Sequence, residues 1–392
     1  MIRFLRNIHH TALRELQRIT HQPMYWVLMV LLPLISFAFF AVIFREGVAR
    51  NIPIALYDED HSSLSRKLGQ MIDDTPTALV AYEVQSMLEA EQLMLEGKIS
   101  AIIHIPPQFE QHILGGVPVR VVGSLSGTNI TVNGLLAKDI QAAVTTFQAG
   151  VQLQQLMARG LSEKQAMAQI QPVRFVKHVL FNPYINYSYY LSPSFMPMML
   201  MIFTMLITVF AIGTELKGGT ARTWLATAGD SPLAALVGKM SPLIVVMLLM
   251  TLVMFLILFK IVGIPINGNI HLLLLGTVLF ILAYMSIGIF IIALVSNLRL
   301  SLSLGGGFCV LAFTFSGLTF PTMAMYPAMQ LFSRIFPFTY YTDLFINQAL
   351  RGAPAVDSIV DLGTLAVYLV LPLAVLGRLR TICTNENYWG RQ

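Results

Sequence analysis

Charge is scarce in this 392-residue sequence. Asp, Glu, Lys and Arg make up 11% of it, against 56% hydrophobic residues. A soluble globular domain carries about 25% charged residues, so the shortage excludes an ordinary water-soluble globule. Cysteine is nearly absent: Cys309 lies in an apolar run and Cys383 near the end, so no disulfide framework holds a soluble part. The phosphate-cradling loop G-x-x-x-x-G-K-[ST] is missing as well. Gly238-Lys239 is followed by Met240, and Gly229 stands too far upstream. ATP hydrolysis on this chain is therefore not expected. His104 and His112 lack a third ligand at metal-binding spacing. No acid, Ser–His pair or Asp–Asp pair stands in the interior of an apolar run, and Lys260, His271 and Asp361 stand near run ends. Proton coupling and intramembrane proteolysis both need such groups at depth. A small-residue cleavage site after the first apolar run is also missing, so a cleaved signal is not expected.

What is present is apolar length. Runs over 23–45 and about 195–212, 243–262, 272–295, 300–318 and 359–376 are each of bilayer-crossing length. The expected fold is an α-helical membrane protein with six transmembrane helices and an α/β extracytoplasmic domain inserted over 46–191. Inside that insert, β-like Ile52–Tyr57, Ala81–Val84, Ser100–Ile105 and Val117–Ser124 alternate with helical patterns ending in Leu135–Arg159 and Ser162–Ile170. Residues 1–22 form an amphipathic helix for a membrane surface, with Leu5, Ile8, Ala12, Leu16 and Ile19 on one face and Arg3, Arg6, His10, Arg14 and Gln17 on the other. The rest of the chain, 192–380, holds the second to sixth helices, and 381–392 is a tail.

Loop charge sets the expected sidedness. Arg3, Arg6, Arg14 and Arg18 precede the first run; Lys217, Arg222 and Lys239 lie between the second and third; Arg299 lies between the fourth and fifth; Arg378, Arg380 and Arg391 follow the last. The opposite loop, 263–270, has no Lys or Arg, and the loop after the fifth run holds only Arg334 and Arg351. Both termini are then cytoplasmic and the insert lies outside. The net charge of +5 is scattered over these flanks, which speaks for membrane sorting and against nucleic acid as a partner.

The cytoplasmic stretch 213–240 is too long for a turn and too short for a domain. Its Glu215, Gly219, Thr220, Leu225, Pro232 and Lys239 resemble the E-x-x-x-G-T … L … P … K signature of ATP-binding cassette type-2 export permeases. Lys217-Gly218, the Arg222-Thr223-Trp224 run and a displaced proline depart from the usual pattern. Ser316-Gly317, Pro321, Pro327, Pro337, Thr339, Tyr341 and Leu350-Arg351-Gly352 resemble the family's segment between the last two spans. Residues 101–109, AIIHIPPQF, resemble a strand of members with a large external domain.

The resemblance implies a permease of the bacterial inner membrane exporting an apolar or amphipathic substrate, such as a drug or lipid. Cytoplasmic ATPase subunits would carry ATP and Mg, and this chain would bind no cofactor. It implies a second copy or a paralogue, surrounding lipid, and an external domain that guides substrate or meets a periplasmic adaptor. Coupling to the ATPase is expected at Glu215, Gly219, Thr220, Arg222 and Leu225. A re-entrant segment, 319–356, would cap the outer end. Pathway or outer-gate candidates are Phe195, Met196, Met199, Phe203, Phe308, Phe315 and Pro321, because methionine and aromatic surfaces adapt to varied apolar ligands. Gly305-Gly306-Gly307 permits close helix approach, either at a dimer seam or within the chain. Two other readings compete: a non-transporting subunit that transmits force to an external partner, and a lipid-modifying enzyme using Asp58, Glu59, Asp60 and His61.

Overall fold

The computed structural model describes residues 2–45, 47–172, 178–182 and 186–390. The chain divides into two compact units, Met1–Gly47 with Val179–Gln392, and Val48–His178. Arg391 of the expected tail lies outside the described residues.

The unit Val48–His178 is built on a four-stranded sheet, β1 (Ile52–Asp58), β2 (Ala78–Glu83), β3 (Ala101–Ile105) and β4 (Val122–Leu125), in the order β2-β1-β3-β4. Strand β1 is parallel to β2 and β3, and β4 runs antiparallel to β3. Side chains alternate across the pleat. Ile54, Ile103 and Ile105 pack with Leu68, Ile72, Leu136 and Ile140 on one face, while Ala55 and Ile102 meet Val84, Ala90 and Ile99 on the other. The strand expected at 117–124 pairs only from Val122.

The other unit is helical. Its elements are α1 (Ile2–His21), α2 (Pro23–Ile43), α3 (Tyr187–Lys217), α4 (Ala221–Thr227), α5 (Pro232–Ile261), α6 (Ile270–Val295), α7 (Leu298–Thr314), α8 (Pro327–Ser333), α9 (Pro337–Phe345) and the interrupted run α10 (Ala355–Thr384). Among the described residues, five helices (α2, α3, α5, α6 and α10) are long and apolar enough to cross a bilayer. The fifth apolar run departs from its expected length. Helix α7 has 17 residues, about 26 Å at the usual rise, and stops before Gly317, which has φ 90°. The sixth is interrupted by a 3-10 turn at Tyr368–Val370 ahead of Pro372.

Caps set the helix starts. The side chains of Asn186, Ser231, Asn269 and Asn297 each accept a backbone N–H of the first turn that follows. Helix α3 forms the centre, packed on α2, α5, α6 and α7. Segment 319–356 breaks into α8, α9 and short turns, and α9 seats Tyr341 on Phe280 at 4.2 Å. Gly305 approaches Met205 of the same chain, whereas Gly306 and Gly307 face open space.

Helix α1 packs through only part of its apolar stripe, and through polar neighbours as well. Thr11, Glu15 and Ile19 are buried, while Leu5, Leu13 and Leu16 are exposed. The buried row lies against α5, where a Cβ on Gly238 would stand 2.6 Å from Thr11 Cβ and 2.7 Å from the Ile8 carbonyl oxygen. Gly238→Val is therefore expected to pry α1 off α5 and lower stability by about 1–3 kcal/mol. Thermal unfolding in detergent checks it, and Gly306→Ala, with open space around it, should not show that loss.

Candidate functional site

Two glutamates and a lysine are withdrawn from solvent where α1, α3 and α5 meet. The sequence places the end of the second span at 212, but α3 continues to Lys217 and carries Glu215 inward to complete burial. Lys239, in the second turn of α5, is buried equally. Its Nζ donates to Glu215 Oε1 at 2.9 Å and also to Glu15 of α1. Arg14 grips both oxygens of Glu215, at 2.6 and 3.0 Å. Arg18 donates to Glu215 and, at 3.1 Å, to Thr214 Oγ1. The Thr220 hydroxyl also donates to Glu215, and the Tyr25 hydroxyl donates to Glu15 at 2.7 Å.

Three cations thus enclose two carboxylates, leaving one positive charge at the C-terminal end of α3. That is the end where a helix favours cations. Burial pulls the Arg14 guanidinium below its ordinary value, opposed by neighbouring Glu15. Arginine nonetheless stays charged in proteins. Lys239 also lies 5.1 Å from the centre of the Trp224 ring, whose Nε1 donates to the Ala235 carbonyl at 3.1 Å. Asn7 of α1 completes the frame by donating to the Ala228 carbonyl at 3.0 Å. A recess of about 550 Å³ opens beside this knot, lined by Arg14, Arg18, His21, Thr214 and Thr220 among others.

This arrangement sits in a chain whose residues 23–378 match the family model described as ABC-2 family transporter protein. The chain belongs to the ABC-2 transporter family. Its multi-pass helical unit is that of a membrane-transport subunit. It is similar to the inner membrane transport permease YhhJ of Escherichia coli K12, 24% identical over 303 residues that cover 74% of each chain. It is also similar to the protein named "Probable multidrug ABC transporter permease YbhR" from the same organism, 23% identical over 348 residues that cover 87% of this chain and 89% of YbhR.

In this ABC-2 chain the five residues expected to couple to an ATPase separate into two groups. Gly219, Thr220 and Arg222 are exposed; Glu215 and Leu225 are buried. Gly219 has φ 67°, a left-handed conformation that favours glycine. Helix α4 buries Ala221, Trp224 and Leu225 and leaves Arg222, Thr223 and Ala226 outside. The sequence reading missed Glu15, Arg14, Arg18 and Tyr25 as partners of Glu215 and Lys239. One signal was available: Glu15 is the only acid among residues 1–22. Glu215 and Lys239 lie beyond the apolar runs at 195–212 and 243–262, but α3 and α5 extend far enough to take both into helix and bury them. Asp361, near a run end, is buried too.

All of the pathway candidates but Pro321 are packed side chains. Phe195 stacks on Phe40 at 4.9 Å and touches Phe313. A run of ring contacts continues through Phe338, Phe280 and Tyr284 to Phe308, then through Phe336 and Phe332 to Phe315. Met196 and Phe203 are buried in the core, Met199 packs against it, and Pro321 is exposed. The tail folds onto the end of α3 and the turn that follows it. Gly390 N–H donates to the Leu216 carbonyl at 3.2 Å, and a Cβ on Gly219 would lie 3.8 Å from Trp389.

Proposed function

We propose that this chain is the membrane-spanning permease of an ATP-binding cassette exporter, powered by separate cytoplasmic ATPase subunits. With α7 counted as a sixth span, the basic flanks would put both termini in the cytoplasm and Val48–His178 outside. Two copies, or this chain and a paralogue, would enclose the pathway. The observation that carries the proposal is mechanical. Glu215 and Lys239 tie α1 to α3 and α5, and α4 is braced on the same knot through Trp224 and Thr220. Force applied to α1 and α4 would pass into two membrane helices without a flexible link. ATP can shift the spans only if the ATPase grips these elements differently in its two states. The names of YhhJ and YbhR, both permeases, favour the same reading.

The test is affinity purification of the full chain from its native membranes. The expected result is a stoichiometric ATPase subunit carrying the phosphate loop this chain lacks. Recovery of the chain without any ATPase overturns the proposal.

A further inference from the structure

A cavity of about 480 Å³ lies among α8, α9 and α10. Two carboxylates line it, Asp343 of α9 and Asp361 of the first helical turn of α10. Asp361 is only 9% exposed, and among the described residues its carboxylate has no hydrogen bond or ion pair. Asp343, which is exposed, shares that cavity lining with Asp361. Arg334 lines the same cavity but makes no ion pair with either acid. A buried, unpaired carboxylate is costly unless something cationic completes it. The lining holds two acids and one guanidinium; Arg351, outside the lining, offsets the charge of Asp343 but leaves Asp361 without a counter-charge among the described residues.

The size and lining decide what kind of cation fits. The volume lies well above the roughly 30 Å³ share of a water and within the range of small-molecule sites. A hard divalent ion seeks about six or more oxygen ligands, yet no group of three His, Cys, Asp or Glu occurs among the described residues. Tyr340 lines the cavity, and its hydroxyl donates to the Arg334 carbonyl at 3.0 Å, so an aromatic side chain is held at the site. Met323, largely exposed, supplies an adaptable apolar wall. Ring faces attract organic cations, while bare inorganic ions gain little from apolar walls.

We propose that this cavity is a binding site for amphiphilic organic cations, with Asp361 as the buried counter-charge, Asp343 as the second acid and Tyr340 as the aromatic contact. The proposal rests on the exporter reading and narrows its substrate class.

The test is equilibrium binding of radiolabelled tetraphenylphosphonium to the full chain in nanodiscs of zwitterionic lipid, with no ATPase present. Saturable binding is expected, weakened at least about tenfold by Asp361→Asn and also weakened by Asp343→Asn. Asp357→Asn, outside the cavity, should leave it unchanged. The neutral analogue triphenylphosphine oxide should not compete. The unfolding midpoint of Asp361→Asn should not fall, since an unpaired charge is removed; if this variant fails to fold, Asp343→Asn decides. Wild-type affinity in both Asn variants, equal competition by the neutral analogue, or displacement by millimolar Mg²⁺ overturns the site. Absent binding in a chain that still co-purifies an ATPase refutes the cation site alone. Binding in a chain that never recruits an ATPase refutes the exporter reading and leaves the site standing.

Discussion

Glu215→Ala is expected to be the most damaging single substitution in the helical unit. Among the described residues it removes the one carboxylate that Arg14 and Arg18 both bond, and leaves Lys239 with Glu15 as its remaining acidic partner. Three cations would then crowd around one carboxylate in a space with no room for water around Lys239. Breaking a buried ion network from one side costs about 3–5 kcal/mol. Lys239→Met should cost less, because Glu215 keeps Arg14, Arg18 and the Thr220 hydroxyl. Lys217→Ala, exposed on the same helix end, should change stability by no more than about 0.5 kcal/mol. Unfolding of the purified chain in detergent ranks the three variants. The double variant Glu215→Ala with Lys239→Met should fall short of additivity by at least about 0.5 kcal/mol. An unchanged midpoint in Glu215→Ala would remove the knot from any account of how this unit is held together.

The second large effect is expected on function with the fold intact. Arg222→Glu combined with Ala226→Trp alters only the exposed face of α4. In the proposed exporter that face meets the ATPase. Reversing one charge and adding bulk there should reduce ATPase recovery and ATP-driven transport into inverted vesicles at least about tenfold, with no loss of thermal stability. Leu225→Ala acts on the same helix but from its buried side, so it should lower stability by about 2–5 kcal/mol. A double variant that retains the ATPase would move the docking surface elsewhere, with the recess beside Arg14, Arg18 and His21 as the next place to alter.

The contrast between Glu215 and Arg222 shows how far the sequence could be read. Both stand in one polar stretch, and the family signature marks that stretch without saying which members face inward. The end of α3 decides. An apolar count stops at 212, yet the helix runs on to Lys217 because Glu215 finds buried partners there. On α1, helical spacing identified an amphipathic helix for a membrane surface but not the row that packs against α5. Thr11 and Glu15 pack because Gly238 admits close approach and Lys239 supplies a counter-charge. At the other end of the unit, Asp361 was legible only as an acid near a span end, since α8 and α9 fold over it through proline-punctuated turns.

By itself, then, the sequence determined the properties that depend on neighbours along the chain. These are the number and extent of apolar runs, the alternating strands of Val48–His178, the asparagine and serine caps, and the bias of basic residues to one set of loops. Tertiary structure alone decided the partnerships that cross the chain. Arg14 reaches Glu215 across 201 positions, and Lys239 reaches Glu15 across 224. Hydropathy averages over a helix and so discards which face a residue occupies. Whether a charge is paired, stranded or exposed depends on that face and on the helix packed against it.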